Sequence, residues 1–350
     1  MIKYSIHIGD DALEKLQAYL RRQQYTNILV LVDKLTYKYC YPLVQPYLPK
    51  HELCEIIAGE IYKNIDTCTN IWQKLTETNF DRHSLMINLG GGVIGDMGGF
   101  AAATYKRGID FVQVPTTLLS QVDASVGGKL GIDFQDFKNH IGLFKDPNGV
   151  FIYPDFLKTL PDNELLSGFA EVIKHHLIAD ANGWRSLTRV SDVRSQDFDT
   201  LIRHSIDIKA DIVNIDPFEK GARKALNFGH TIGHAIESHW LKSETSLLHG
   251  EAIVIGMLAE AHIAYKRNVL SEFELRQMSL YMLQHYPKVD LNMDDISAIF
   301  QRMKNDKKNQ SGQIMCTLLK GIGTFLVNIA IDEQEVIAAL NYYQNLNSSS

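Results

Sequence analysis

Cysteine is scarce in this chain, with four in 350 residues, at Cys40, Cys54, Cys68 and Cys316. None falls in a CxxC spacing, so neither a disulfide framework nor a thiolate metal centre is expected. Free buried thiols in a reducing compartment are the expectation instead. There is no basic excess either: 35 Lys and Arg face 41 Asp and Glu, a net charge of −6. That balance argues against a general nucleic-acid binder, although a local basic pocket is compatible with it. No stretch approaches the roughly 18 apolar residues of a membrane-spanning helix. Met1–Ser5 carries no apolar run of the kind that opens a secretory signal. A cytoplasmic protein without membrane or nucleic-acid partners is expected. Repeats and low-complexity tracts are also lacking, apart from an Asn/Ser-rich tail at Asn345–Ser350 that is expected to be disordered.

What remains is ordinary globular composition, 45% apolar and 22% charged, in a length that suits two domains. Asn27–Val32 is a continuous apolar run ending at Asp33, as in a strand buried on both faces. Ser84–Leu89 is another, running into Gly90-Gly91-Gly92, and Phe111–Val114 is a third, closed by Pro115. Helical patterns separate these runs. The combination predicts a doubly wound, mainly parallel sheet, with ligands beyond the carboxyl ends of the strands. Past Pro161 the texture changes. Leu165–Ala179, Leu201–Val213, Gly233–Trp240, Gly250–Tyr265 and Asp294–Lys304 read as helices, with one β excursion near Ile314–Leu319. The expected organisation is an α/β domain over 1–160, a mostly helical domain over 161–344 and the tail at 345–350.

Four constellations are candidates for chemistry. Gly90–Gly99 follows a strand, and small residues at a helix start let backbone N–H groups approach an anion. A tight turn without a ligand is the bland alternative. Asp123–Lys129 (DASVGGK), followed by Lys138-Asn139 and preceded by Arg107-Gly108, suits a phosphate or a polyhydroxylated anion; loop lysines are otherwise merely solvated. In the helical half, Glu171 and Lys174 lie three apart on one helix face, His230 and His234 four apart, and His249 follows. One carboxylate with two imidazoles suits a catalytic Zn²⁺-type site with open positions. Spacing alone leaves open which histidines ligate. Asp306-Lys307-Lys308, before Gly312, is a basic pair that could close over an anion, with a solvated loop as the default.

GGGVIGD, RG…PTTLL, QVDASVGGK, KN.IG, SGFAEVIK, NFGHTIGHAIE, LHGEAI and DKK…G occur in the order and approximate spacing of the 3-dehydroquinate synthases, and from Asp33 to Gly312 the chain resembles that family. The resemblance implies an NAD-binding α/β domain, a helical domain and a homodimer with its active site in the interdomain cleft. It implies a Zn²⁺ or Co²⁺ ion held by Glu171, His230 and His249. The matching NAD contacts are Asp33, Glu60, Lys63, Gly91, Gly92, Val93, Gly95, Asp96, Thr116, Thr117, Lys129, Lys138, Phe156, Leu157, Lys158 and Thr159. Substrate contacts match Arg107, Asp123, Lys129, Asn139, Lys174, Lys209, Arg223, Asn227 and one of Lys307 and Lys308. His234 and Glu219 match positions with proton-transfer roles, and Lys174 is grouped with them. The sequence departs from the commonest pattern at Asp133, where Asn is frequent, and at His175-His176, where Tyr-Gly is.

The implied reaction converts 3-deoxy-arabino-heptulosonate 7-phosphate to 3-dehydroquinate and phosphate. Oxidation at C5 acidifies the C6 proton, phosphate leaves, the hydride returns to C5, and an internal aldol step closes the ring. Rival readings are a sister cyclase acting on sedoheptulose 7-phosphate or forming an inosose, a metal-dependent polyol dehydrogenase, and a silent sugar-phosphate binder. The set Glu171, His230 and His249 disfavours the last. Lys129, Lys138 and Arg223 disfavour the dehydrogenase, whose substrate carries no phosphate.

Overall fold

The computed structural model describes residues 2–135, 137–241, 246–304 and 313–346. The chain forms two compact units, Met1–Leu165 with Asp197–Ala210, and Leu166–Gln196 with Asp211–Ser350.

In the first unit the order is β1 (Ser5–Ile8), α1 (Ala12–Gln23), β2 (Ile28–Asp33), α2 (Lys34–Tyr39), α3 (Tyr41–Val44), β3 (Glu52–Ile56), α4 (Ile65–Glu77), β4 (Leu85–Gly90), α5 (Gly92–Thr104), β5 (Asp110–Pro115), β6 (Lys129–Phe134), β7 (Phe137–Phe144) and β8 (Gly149–Ile152). Six strands form one sheet in the order β1-β8-β5-β4-β2-β3, and its pairings are parallel. Alternate residues of one strand feed different cores, because side chains point to opposite faces. Leu29 and Leu31 of β2 join Met86 of β4 with α4 and α5, whereas Val30 and Val32 join Ile87 and Leu89 with α1. Both faces are therefore covered, as the apolar runs led one to expect. The chain leaves β2 toward β3 on one side and β4 toward β5 on the other. The direction of winding thus reverses between β2 and β4, where ligands of such sheets bind.

The stretch after Asp123 is not the loop that its lysines implied. Lys129 opens β6 and Lys138 and Asn139 lie in β7, an antiparallel hairpin with a register shift between Ile132 and Phe134. Its glycines and charges hide it from strand patterning. Leu130 and Ile132 nonetheless enter the core beside α5.

The second unit draws on α6 (Asp162–Ala179), α7 (Ala181–Leu187), the end of α8 (Phe198–Ile215), whose residues up to Ala210 belong to the first unit, α9 (His230–Trp240), α10 (His249–Lys266), α11 (Glu272–His285), α12 (Met293–Lys304), β9 (Ile314–Leu319), β10 (Phe325–Ile331) and α13 (Glu333–Asn345). α10 is buried on nearly every side from Gly250 to Ala264, the mark of a helix at the centre of a bundle. The expected β excursion is one arm of the antiparallel hairpin β9–β10. Asn345 of the expected tail closes α13, and 347–350 lie outside the described residues. All four cysteines are buried and free. Among the described residues no helix is long and apolar enough to cross a membrane.

Candidate active site

Three helices of the second unit converge at Glu171, which is fully buried on α6. His230 is the first residue of α9 and His249 the first of α10, so both imidazoles project from helix starts. Each directs Nε2 at the same atom, Oε1 of Glu171, at 3.4 Å. Their other ring nitrogens face acceptors: Nδ1 of His230 is 3.1 Å from the Phe228 carbonyl, and Nδ1 of His249 is 3.4 Å from Oε2 of Glu237. An acceptor at Nδ1 fixes the proton there and leaves the Nε2 lone pair for a cation, the usual support of a metal-bound histidine. The donor atoms of Glu171, His230 and His249 lie within 4.8 Å of one another. This donor set, buried and mutually facing, fits a Zn²⁺- or Co²⁺-type ion.

Local sequence explains the convergence. A Cβ at Gly250 would come within 2.2 Å of the Ser167 carbonyl, so glycine lets the start of α10 approach α6. The Gly250 N–H donates to Ser167 Oγ at 3.0 Å, and the Glu251 carboxylate accepts from the Leu248 N–H at 2.8 Å. Burial would lower the pKa of His249, but Glu237 and Glu171 outweigh it and push it up to about 9. Lys174 pairs with Glu171 on the same helix. The His234 ring lies beside the pair, 5.0 Å from His230 and 5.9 Å from His249 between centroids.

Three further predicted residues of this unit share one segment. Asn227 donates to the Glu219 carboxylate, and Arg223, 2% exposed, donates from Nη1 to the Pro217 carbonyl at 2.6 Å. Asp216 shapes the segment by accepting from the N–H groups of Lys220, Gly221 and Arg223 at 3.0, 2.6 and 3.1 Å. Lys307 and Lys308 lie outside the described residues.

In the first unit Asp33, the Gly91–Asp96 turn and Thr116-Thr117 lie at the carboxyl ends of β2, β4 and β5, whereas Arg107 precedes β5 at the opposite edge of the sheet. Asp33 closes β2 and caps α2, accepting from the N–H groups of Leu35 and Thr36 at 2.9 and 2.8 Å. Gly91 precedes α5, and Val93, Gly95 and Asp96 follow Gly92 in its opening residues. The Thr116 N–H bonds the Gly90 carbonyl at 3.0 Å, tying the ends of β5 and β4 together ahead of Thr117. A 13-residue helix starting in glycines at a strand end provides N–H groups for a pyrophosphate. Lys63 Nζ bonds Asp96 Oδ2 and Asn139 Oδ1, both at 2.7 Å, and Lys138 pairs with Glu60 at 3.1 Å. Lys209 pairs with Asp123 Oδ2 at 3.0 Å. Phe156 and Leu157 are buried, whereas Lys158 and Thr159 of the same short helix are exposed. Arg107 is exposed with a left-handed φ of 71°, and Lys129 is exposed at the start of β6.

Sequence reasoning missed Glu237. It lies seven residues after His230 on one helix face, a spacing that carries the signal.

Two family models match consecutive stretches, 3-dehydroquinate synthase N-terminal over residues 53–167 and 3-dehydroquinate synthase C-terminal over 168–309. The 3-dehydroquinate synthase of Parabacteroides distasonis is 38% identical over 349 residues, covering 98% of this chain and 99% of that one. The chain belongs to the 3-dehydroquinate synthase family. Two solved structures of other cyclases share the fold along its whole length. A 2-epi-5-epi-valiolone synthase from Streptomyces hygroscopicus, with NAD⁺ and Zn²⁺ bound, has a TM-score of 0.86 at 26% identity, covering 98% of this chain and 97% of its own. A 2-deoxy-scyllo-inosose synthase complexed with carbaglucose-6-phosphate, NAD⁺ and Co²⁺ has a TM-score of 0.87 at 24% identity, covering 97% and 96%.

Proposed function

We propose that this 3-dehydroquinate synthase family member converts 3-deoxy-arabino-heptulosonate 7-phosphate to 3-dehydroquinate and phosphate, using NAD and a Zn²⁺ or Co²⁺ ion, as a homodimer. The observation that carries the reading is the convergence of His230 Nε2 and His249 Nε2 on Glu171 Oε1, each at 3.4 Å. When bound, NAD supplies the hydride acceptor and donor for C5, and the divalent ion supplies Lewis acidity toward the substrate oxygen.

The chain's own residues do the rest. Asp33, Glu60, Lys63, the Gly91–Asp96 turn, Thr116, Thr117, Lys138 and the Phe156–Thr159 segment orient the dinucleotide. Arg223 holds the substrate carboxylate through its planar guanidinium. Arg107, Asp123, Lys129, Asn139, Lys174, Lys209, Asn227 and a lysine of the Lys307-Lys308 pair bind the hydroxyls and the phosphate. His234 and Glu219 move protons at the substrate oxygens. The departing phosphate accepts the C6 proton, so that step needs no protein base. A sister-cyclase reading draws on the two structural neighbours, but the identity to 3-dehydroquinate synthases is higher.

Metal analysis of purified variants tests the ligand set. Ala at Glu171, His230 or His249 lowers metal occupancy, whereas His234→Ala keeps the metal and loses rate. Loss of metal from His234→Ala alone, or from a variant at His175 or His176, overturns it.

A further inference from the structure

Glu260 sits in the interior of α10 with no exposure at all, between Ala259 and Ala261. A carboxylate taken so far from water is costly unless its oxygens are hydrogen-bonded. Both oxygens accept from backbone N–H groups of another helix. The Gly229 N–H donates to Oε2 at 2.7 Å and the Ile232 N–H to Oε1 at 3.3 Å. These groups flank the first residue of α9, and that residue is His230.

The pairing answers a local deficit. The first turn of a helix has N–H groups without intrahelical acceptors, and a polar side chain at the N-cap ordinarily serves one of them. Here the N-cap is Gly229, which has no side chain to do so and holds a left-handed φ of 78°. The cap is supplied by α10 instead. It reaches because the helices approach closely: a Cβ at Gly256 would stand 1.9 Å from the Gly229 carbonyl. Negative charge at this end of α9 also matches the helix dipole. The His230 ring is held in turn by the Phe228 carbonyl at Nδ1.

We propose that Glu260 is a positioning residue for the metal ligand His230. As a buried cap borrowed from α10, it fixes the backbone on both sides of His230, so that Nε2 keeps its direction toward Glu171. The inference rests on reading Glu171, His230 and His249 as the cation site.

The full-length protein is stripped with a chelator and titrated with Co²⁺, following the visible absorption of the bound ion and its affinity by competition. Glu260→Ala weakens Co²⁺ affinity about 10- to 100-fold, the range typical of residues that orient ligands, and alters the absorption band. Glu260→Gln, which keeps one acceptor oxygen, loses less, and carries the comparison if the Ala variant does not fold. Leu275→Ala, a core truncation on α11, controls for lost stability and keeps the wild-type affinity and spectrum. Wild-type affinity and spectrum in Glu260→Ala, or an equal loss in Leu275→Ala, overturns the proposal while leaving the cation site standing. A wild-type protein that takes up no Co²⁺ removes the cation site and this proposal together.

Discussion

Lys63, which is buried, and Asp96, which is partly exposed, form an ion pair, Nζ to Oδ2 at 2.7 Å, that joins the end of the β3–α4 connection to the first turns of α5. The same ammonium bonds Asn139 on β7, and the Lys63 carbonyl accepts from the Asp133 N–H at 2.8 Å. One side chain therefore ties the glycine turn to the hairpin that carries Lys138 and Asn139. Burial alone would lower the lysine's pKa, but Asp96 and Glu60 outweigh it and hold it above the ordinary value.

Removing Lys63 leaves the partly buried Asp96 carboxylate without its counter-charge. Lys63→Met is expected to cost about 1–2 kcal/mol, less than for a fully buried pair, read as a shift in the denaturant midpoint. Adding Asp96→Asn to Lys63→Met recovers part of that loss, since the orphaned carboxylate is gone. Equal midpoints for wild type and Lys63→Met would show that the pair contributes nothing to stability.

His262 is stacked on Tyr342 with centroids 4.4 Å apart, and burial, aided by Lys266, lowers its pKa to about 4 from 6.5. The unfolded chain thus binds the proton more tightly than the native one. The stability that His262 contributes is present above pH 6.5 and is lost as pH falls toward 4. The loss is on the order of 2 kcal/mol. His262→Phe retains the stack, and its denaturant midpoint should fall less between those limits than that of the wild type. Parallel pH profiles for the two proteins would exclude the effect.

In the proposed reading Arg223 separates the acid substrate from its neutral analogue. Truncating one partner of a buried charged contact costs roughly 2–5 kcal/mol, or about 30- to several-thousand-fold in kcat/KM. The wild type should reject sedoheptulose 7-phosphate, which has a hydroxymethyl group where the heptulosonate has its carboxylate. Arg223→Ala should lose most activity on the acid and narrow the preference. Comparable wild-type rates on both substrates would contradict the assignment.

The sheet was legible because β2, β4 and β5 are buried on both faces and read as continuous apolar runs ending in Asp33, Gly90 and Pro115. The β6–β7 hairpin was not, because Gly131, Gly142 and its charged positions obscure the strand period. A Cβ at Gly142 would stand 2.3 Å from the Leu130 carbonyl, so glycine is there for strand packing. Helix starts carry the candidate metal site. His230 and His249 were singled out through their motifs, whereas Glu237 and Glu260 were not, since their placement depends on which faces of α9 and α10 meet. That pairing is tertiary, and a helical period alone does not state it.

NAD turnover tests the central claim most directly. In the proposed reaction both hydride transfers occur at C5, so the dinucleotide ends each cycle as it began. The protein, loaded with Zn²⁺ or Co²⁺, is incubated with 3-deoxy-arabino-heptulosonate 7-phosphate and NAD well below the substrate concentration. Phosphate and 3-dehydroquinate should then appear in equal amounts over many turnovers per NAD, without net NADH absorbance. NADH growing in proportion to product, or no phosphate release at all, would contradict the account.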